Sequence, residues 1–167
     1  MVQRISVGVS LLFLTVAVGA RAQNAGATLQ PTQGNNVKGT LTVIPMGSGA
    51  HFSGTISGLP AGKHGFHIHE KGDCSAPDAS SAGGHFNPDN KQHGDPGAAE
   101  HHAGDLGNIE ADAGGNAAVD MHVNGLTLGS GPNSVIGKAV IVHAAADDLQ
   151  TQPKGNAGAR LACGVIK

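Results

Sequence analysis

Closely spaced histidines are the side chains in this sequence that are best suited to chemistry. The segment GFHIHEKGDC, residues 65–74, places His67 and His69 on either side of Ile68. In a strand, successive side chains point to opposite faces, so the two imidazoles share one face while Phe66 and Ile68 share the other. Imidazole is a ligand for zinc and copper. An isolated His-x-His pair is, however, more often the polar side of an edge strand, so the remaining residues must decide.

The chain has ten histidines, and several of them follow this pair in the sequence. Taken singly, each is more often a surface residue or a hydrogen-bonded core histidine than a ligand. Together with Asp105, three residues after His102, they supply enough nitrogen and carboxylate donors for two metal sites. The downstream histidines of interest are His85, His93, His101, His102 and His143.

Short strands are the elements that must position these donors. With 27 glycines, eight prolines and few charges, the chain offers short apolar segments separated by turn residues instead of helices. About eight such strands predict an all-β fold, an eight-stranded Greek-key β-barrel or sandwich of immunoglobulin-like type. The candidate segments are GATLQ, NVKGTLTVIP, AHFSGTISGLP, KHGFHIHE, NAAVDMHVNGLTL, SVIGKAVIVHA and ARLACGVI.

Two long loops interrupt this regular spacing. From Lys71 to about Gly115 we predict neither strand nor helix, and a second loop runs from about Ala145 to Ala157. A loop of this length in a compact domain is usually functional or disordered. The first loop carries Cys74 and most of the histidines, which favours a functional loop held by a disulfide and metal bonds.

The first 22 residues differ from all that follows. Arg4 precedes an apolar run from about Val7 to Val18, and Ala20-Arg21-Ala22 matches a cleavage pattern. We therefore predict a signal peptide at 1–22 and a single domain at 23–167, with export of the mature chain. The alternative is a membrane anchor, but the run is shorter than the roughly 20 apolar residues that a spanning helix needs.

Charge and cysteine content narrow the partners and the compartment. Without Arg4 and Arg21, eight Lys/Arg face twelve Asp/Glu, a formal charge of −4, which disfavours nucleic acid and anionic membranes as partners. In an exported chain the only two cysteines, Cys74 and Cys163, are expected to form a disulfide. A free nucleophilic thiol is the alternative, and an oxidising compartment disfavours it.

Several ordered motifs together resemble one family, copper/zinc superoxide dismutase, from about residue 26 to the C-terminus. The loop sequence HIHEKGDCSAPDASSAGGHFNP is similar to the bacterial, exported branch, which implies the periplasm of a Gram-negative bacterium. The resemblance implies one copper and one zinc per subunit, and conversion of superoxide to oxygen and hydrogen peroxide in antioxidant defence. Family members differ in whether they pair, so a homodimer stays open. The motifs are GFHIHE, GGHFNP, HHAGDLGN, VIVHAAADD and GNAGARLACGVI.

The same resemblance implies a role for each donor. His85 would bridge both metals as an imidazolate and take part in catalysis, and the H-x-G-D-L-G-N match favours His102 over His101 as a ligand. Copper would be held by His67, His69, His85 and His143, and zinc by His85, His93, His102 and Asp105.

Residues around the two metals are implied in the same way. Asp147 matches an aspartate that links His67 to His93, and Arg160 matches an arginine beside the open copper position, where a guanidinium can hold a small anion. Cys74 and Cys163 match the family disulfide. Where many members carry charged residues after the last copper histidine, this chain has Ala144 and Ala145, which leaves Lys154 as the candidate for attracting anions. His64 falls on the opposite strand phase from the ligands, which indicates a structural role.

Three other interpretations compete with an enzyme of this family. A copper or zinc carrier would be favoured if a ligand or the arginine were missing, and none is. A two-metal hydrolase would need carboxylates that bridge the metals, whereas one aspartate stands here among six histidines. A structural sandwich with a histidine-rich surface does not account for the ordered motifs.

Overall fold

The computed structural model of the chain describes residues 23–167, so the predicted signal peptide lies outside the described residues. Alternating apolar residues form eight strands, and a short 3-10 helix at Ser80–Ala82 lies between the fourth and fifth. The strands are β1 (Ala25–Pro31), β2 (Lys38–Met46), β3 (Gly49–Ser57), β4 (Gly62–His69), β5 (Asp105–Ala111), β6 (Asn116–Asn124), β7 (Ala139–His143) and β8 (Arg160–Val165).

All neighbouring strands in the barrel are antiparallel, in the order β5-β4-β7-β8-β1-β2-β3-β6. Strand β1 pairs with both β2 and β8 and so joins the two halves. The two edge strands, β5 and β6, follow each other through a turn in which the N–H of Gly115 donates to Asp112. The sheet is therefore nearly closed, and the predicted all-β, eight-stranded Greek-key fold is confirmed.

Strand β4 separates the apolar core from the histidines. Phe66 and Ile68 are completely buried in the main core, which also contains Phe52 and Leu29. His67 and His69 are completely buried as well, although they point to the opposite face. The outer side of β4 is therefore covered by other parts of the chain.

Two loops supply that cover. The first loop, residues 70–104, joins β4 to β5, and the second loop, residues 144–159, joins β7 to β8. Cys74 of the first loop forms a disulfide with Cys163 of β8, which confirms the predicted pairing. Across the 89 residues that separate the cysteines, the chain-entropy model gives about 4.6 kcal/mol of stabilisation, a figure that depends on that model.

The prediction that residues from Lys71 to Gly115 contain no regular structure is wrong in two places. A 3-10 turn is present at Ser80–Ala82, and β5 begins at Asp105. Strand β5 is hard to find by alternation because Gly107 has a φ of +77° and the register against β4 shifts between Gly65 and His67. A bulge of this kind breaks the two-residue period on which strand prediction depends.

Two predicted strand segments are longer than the strands that form. The segment NAAVDMHVNGLTL is a strand only as far as Asn124, because Gly125 turns the chain with a φ of +79°. In SVIGKAVIVHA the strand is confined to Ala139–His143. Among residues 23–167, no helix is long and apolar enough to span a membrane.

Candidate metal centre

Three strand residues and one loop residue form the first donor set, defined as His67, His69, His85 and His143. Strands β4 and β7 pair directly, so His143 comes to lie beside His67 with ring centroids 4.9 Å apart. His85, from the first loop, makes an isolated β-bridge with His69. The four rings are brought together by strand pairing and one loop contact, and all four residues are buried.

One ring nitrogen of each histidine in this set has no hydrogen-bond partner among the described residues. These four nitrogens are buried, and the donor atoms of this set lie within 4.8 Å of one another. A buried polar atom without a partner costs free energy, so four of them converging require an explanation. A metal ion that accepts four imidazole nitrogens provides it. The unpartnered atoms are His67 Nδ1, His69 Nε2, His85 Nε2 and His143 Nε2.

The other ring nitrogen of each strand histidine is anchored. His67 Nε2 donates to Asp147 Oδ2 at 2.7 Å, and His69 Nδ1 donates to the Gly83 carbonyl at 2.9 Å. His143 Nδ1 lies 3.2 Å from the Gly158 carbonyl. These bonds fix the orientation and tautomer of each ring, which leaves the unpartnered nitrogen free to bind a metal.

Burial keeps these histidines neutral. Loss of solvation lowers the pKa of His67 to about 4, and the hydrogen bond that His67 donates to Asp147 offsets this only in part. The same loss of solvation lowers the pKa of His143 to about 3 and that of His69 to about 2. Because metal binding needs unprotonated imidazoles, the first donor set is in its binding form at neutral pH.

The second donor set consists of His85, His93, His102 and Asp105. Asp105, the first residue of β5, is its centre, with Oδ1 lying 2.7 Å from His85 Nδ1, 3.0 Å from His93 Nδ1 and 3.2 Å from His102 Nδ1. A tetrahedral zinc ion with ligands at about 2.0–2.1 Å would separate its donors by about 3.3 Å. Three nitrogens and one carboxylate oxygen therefore fit a tetrahedral zinc site.

Backbone donors hold the Asp105 carboxylate in its ionised form. Its Oδ2 accepts the N–H of His102 at 2.8 Å and the N–H of Gly94 at 3.1 Å. Burial alone would raise the pKa of Asp105, but these bonds and the contact with His85 lower that pKa well below its ordinary value. For His102, in contrast, burial itself lowers the pKa, which favours the neutral imidazole. The donor set is thus negatively charged where it would meet a cation.

His85 belongs to both donor sets. Its Nδ1 lies 2.7 Å from Asp105 in the second set, while its Nε2 is one of the unpartnered nitrogens of the first. Its ring centroid is 4.1 Å from that of His67 and 5.3 Å from that of His93. A single ring between two sets of donors can therefore contact two ions.

Asp147 of the second loop connects the two sets from the other side. Its Oδ2 accepts from His67, and its Oδ1 lies 3.0 Å from His93 Nε2 and accepts the N–H of Leu149 at 2.7 Å. Burial alone would raise the pKa of Asp147, but the bonds from His67, Leu149 and His93 lower it. The structure thus places this aspartate between the same two rings that the sequence predicts.

Asn108 is a residue of the centre that the sequence reasoning missed. Its side chain donates to the backbone carbonyl of Asp147 at 2.9 Å and accepts the Asp147 N–H at 2.7 Å. This double hydrogen bond ties β5 to the second loop. Asn108 ends the motif HHAGDLGN, but the sequence predicts a loop there, and a loop prediction gives no side-chain direction.

Arg160 lies at the start of β8, opposite His143 in the pairing of β7 with β8. Its two terminal nitrogens donate to the carbonyls of Ala79 and Gly83 in the first loop. The Gly83 carbonyl also accepts from His69, so the guanidinium is held next to the first donor set. Burial lowers the pKa of Arg160 from its ordinary value.

The remaining histidines lie outside both sets. His64 is buried, with its ring nitrogens 2.8 Å from the His143 carbonyl and 2.9 Å from the Pro60 carbonyl, which supports its predicted structural role. His101 turns its ring toward the backbone carbonyl of His102, at 2.8 Å. Two further histidines, His51 and His122, face each other across β3 and β6 on the outside of the barrel.

Comparison with known proteins identifies the relatives of this chain. The family model described as copper/zinc superoxide dismutase matches residues 37–166. An extracellular copper/zinc superoxide dismutase of Caenorhabditis elegans is 47% identical over 134 residues, which cover 77% of this chain and 60% of that protein. The chain therefore spans less than two thirds of that relative. A copper/zinc superoxide dismutase of Mesembryanthemum crystallinum is 48% identical over 139 residues, which cover 79% of this chain and 88% of that protein.

A solved structure supports the same relationship. The crystal structure of the clock protein EA4 superimposes with a TM-score of 0.80 at 38% sequence identity, covering 91% of this chain and 98% of the other. With the two donor sets, these matches confirm the predicted family and its pair of metals. The chain belongs to the copper/zinc superoxide dismutase family.

Proposed function

We propose that this chain converts two superoxide anions and two protons to one molecule of oxygen and one of hydrogen peroxide. The observation that carries the proposal is the position of His85, whose two ring nitrogens face two different buried donor sets. A chain that only stored metal would need neither a shared ring nor two unlike sets. Two unlike sets joined by one imidazole suit a redox metal that is kept in place by a second, redox-inactive one.

The donor types support an assignment of the metals. The first donor set offers four imidazole nitrogens, which suits copper, and the second offers three nitrogens and a carboxylate, the donor types that tetrahedral zinc sites use. When bound, copper can alternate between its oxidised and reduced states and so take an electron from one superoxide and give it to the next. Zinc has no redox chemistry, and its contribution is to hold the shared ring.

His85 and Arg160 are the catalytic residues of this proposal. His85 Nε2 has no hydrogen-bond partner among the described residues, so it is an atom at which a proton can be held and passed to reduced oxygen. Arg160 is tethered through two of its nitrogens, and its remaining N–H groups can bind a small anion next to His69 and His143. The anion is thus held beside the donor set where the electron is exchanged.

Two clefts that share Lys154 and Gly158 in their lining offer access for the anion. One, of about 480 Å³, is lined by Arg160, Asp78 and Lys154 among others, and the other, of about 270 Å³, is lined by His143 and again Lys154. Lys154 therefore lines both clefts. A local positive field of this kind can attract superoxide to a chain whose net charge is negative.

The compartment and the bounds of the mature chain form part of the proposal. A leader at residues 1–22, followed by a single domain at 23–167, is supported by the n-region, apolar run and cleavage pattern of the sequence. Export is also supported by the disulfide and by the extracellular relative from Caenorhabditis elegans. Within that, the finer proposal is the periplasm of a Gram-negative bacterium, on the form of the first loop.

The proposal is tested by metal analysis and superoxide consumption on the mature chain loaded with copper and zinc. We expect one copper and one zinc per chain and rapid catalytic consumption of superoxide. A chain that holds both metals but consumes superoxide no faster than free buffer would be a metal carrier, and the proposal would be wrong.

Two neighbouring histidines provide a matched control for the ligand assignment. His102→Gln should lose zinc, because His102 Nδ1 belongs to the second donor set. His101→Gln should retain zinc, since the His101 ring only bonds to a backbone carbonyl. The reverse result would show that the neighbouring histidine had been chosen wrongly.

A further inference from the structure

Gln152 of the second loop makes a pair of hydrogen bonds that the proposed reaction does not require. Its side-chain Oε1 accepts the backbone N–H of His93 at 2.8 Å, and its Nε2 donates to the backbone carbonyl of His93 at 2.8 Å. The side-chain amide thus pairs with both backbone groups of one residue, as a neighbouring strand would. Gln152 itself is largely exposed, whereas His93 is buried.

The loop that presents Gln152 is itself well ordered by hydrogen bonds to one carboxylate. Asp148 Oδ1 accepts the N–H groups of Gln150 at 3.0 Å and Thr151 at 2.8 Å, and its Oδ2 accepts from the Thr151 hydroxyl at 2.6 Å and the Asn156 amide at 3.0 Å. Gln152 Nε2 also donates to the Gln150 carbonyl at 3.1 Å. The loop therefore already holds the Gln152 amide in position, so little side-chain conformational entropy is lost when the amide binds His93.

His93 is consequently held by the second loop at two separate points. Asp147 contacts its ring at Nε2, and Gln152 binds its backbone, while Nδ1 faces Asp105 in the second donor set. A ring contact alone fixes the tautomer but lets the residue shift with the first loop. The backbone bonds prevent that shift, because they fix the Cα from which the ring projects.

We propose that Gln152 is a positioning residue that holds His93 in place and so slows the release of zinc from the second donor set. This inference rests on the proposed function only in taking zinc as the metal of that set. It has a second consequence, since Lys154 lies two residues further along the same loop. The hydrogen bonds between Gln152 and His93 therefore also tie down the segment that carries Lys154, which lines both clefts.

The test compares zinc release from the copper- and zinc-loaded protein into a chromophoric zinc chelator at neutral pH. Gln152→Met keeps the length of the side chain and removes both hydrogen bonds, and we expect zinc to be released about tenfold faster, the lower end of the range for residues that support a ligand. Copper release should change less than twofold. Gln152→Glu puts a carboxylate oxygen, in place of the amide donor, against the His93 carbonyl oxygen, and because two acceptors repel each other its zinc release should also be faster than that of the wild type.

Gln150→Met is the matched control. Gln150 is exposed, and its side chain makes no hydrogen bond within residues 23–167, while its backbone carbonyl is unchanged by the substitution. We expect zinc release from this variant at the wild-type rate. Wild-type release from Gln152→Met, or equally fast release from Gln150→Met, would overturn the proposal.

Hydrogen exchange on the wild-type protein provides a second test that needs no variant. The His93 N–H should exchange at least tenfold more slowly than the N–H of an exposed loop residue such as Lys154. Exchange at the rate of an exposed amide would overturn the proposal even if Gln152→Met failed to fold. Neither measurement involves superoxide, so a protein that retains zinc through Gln152 but fails to consume superoxide would contradict the proposed function alone.

Discussion

The two donor sets share a ring but are built in different ways. In the first set, three of four histidines project from β4 and β7, whose pairing fixes their separation. In the second set, all three histidines come from the first loop, and only Asp105 belongs to a strand. Strand register positions the first set. The second set depends on hydrogen bonds that hold a loop.

The electrostatic difference follows from the same construction. The first set consists of neutral imidazoles whose pKa values are lowered by burial, as in His69 and His143. The second contains the ionised carboxylate of Asp105, held by the N–H groups of His102 and Gly94. A soft site for a redox ion therefore lies beside an anionic site for a structural ion, and the shared imidazole separates them.

The largest effects are expected when one ligand is removed from either set, because each change should release one metal and leave the other. Asp105→Asn removes the carboxylate that faces all three nitrogens of the second set, and we expect zinc affinity to fall by about a hundredfold or more, while copper stays bound. His69→Gln removes a nitrogen of the first set only, so copper should be lost and zinc retained. Metal content after dialysis against a weak chelator measures both.

Loss of both metals from either variant would show that the sets are one cooperative site. His85→Gln serves as the positive control for that outcome, because it removes a donor from both sets at once. Its far-ultraviolet circular dichroism should remain that of the wild type, since the barrel core does not include this ring.

Acid should destabilise the metal-free chain in two pH windows, one for the buried histidines and a lower one for the carboxylates. The pKa values of His67, His69 and His143 are about 4, 2 and 3 in the folded chain, against an ordinary value of 6.5. The unfolded chain therefore binds more protons as the pH falls below 6.5, and the free energy of unfolding decreases. Each such histidine contributes about 1.4 kcal/mol per pH unit, so the three together contribute about 4 kcal/mol per unit between pH 6 and 4.

The carboxylates act in a lower window. The pKa values of Asp105 and Asp147 are lowered in the folded chain, so their contribution to stability is present above pH 3.8 and is lost below it. Urea unfolding of the metal-free chain at fixed ionic strength measures the slope. His69→Gln should reduce the slope between pH 6 and 4 by about a third, and an unchanged slope would contradict the role of burial in the first set.

A smaller effect is expected where the two sets are linked. Asp147→Asn keeps the shape of the side chain but provides only one oxygen, so it cannot accept from both His67 and His93. We expect each metal to be bound about tenfold less tightly. Competition with a chelator, followed separately for copper and zinc, measures this, and a change confined to one metal would show that only one of the two bonds matters.

The strands of the first set could be read from the sequence because alternation is a strong signal. In GFHIHE the alternation places His67 and His69 on one face and Phe66 and Ile68 on the other, so the barrel and the common face of these two rings were predictable. The segment AVIVH of β7 is apolar up to its last residue, and His143 is implied as a ligand only by the resemblance to a family. Strand β5 was not predictable, because Gly107 and the shifted register break the alternation. The donors of the second set lie where no period exists, and their positions came only from the resemblance to a family.

Residues that act by binding the backbone of a distant residue could not be predicted from the sequence. Asn108 and Gln152 each bind both backbone groups of another residue, Asp147 and His93 respectively. Either amide could equally have been a solvated surface side chain, since contact depends on how two distant loops meet. Residue type and sequence context can predict a ligand histidine. They do not predict that a side-chain amide will bind the backbone N–H and C=O of a distant residue, as a neighbouring strand would.

The smallest expected effect concerns Lys154, the cation that lines both clefts beside the first donor set. Lys154→Met should lower kcat/KM for superoxide about two- to threefold at an ionic strength of about 0.01 M, where charges act over about 30 Å. At about 1 M the Debye length falls to about 3 Å, and the variant and wild type should react equally fast. Pulse radiolysis at both ionic strengths measures this.

Lys38→Met is the matched control, because it removes the same charge from an exposed position on β2 that lines neither cleft. If net charge governed the encounter, both variants would lose the same rate at low ionic strength. If the local field around Lys154 governs the encounter, only Lys154→Met reacts more slowly at low ionic strength. The second loop then has two roles: it attracts the anion to the first donor set, and it holds His93 of the second. An unchanged rate for Lys154→Met at low ionic strength would remove this lysine from the path of the substrate and leave Arg160 as the cation that the anion meets.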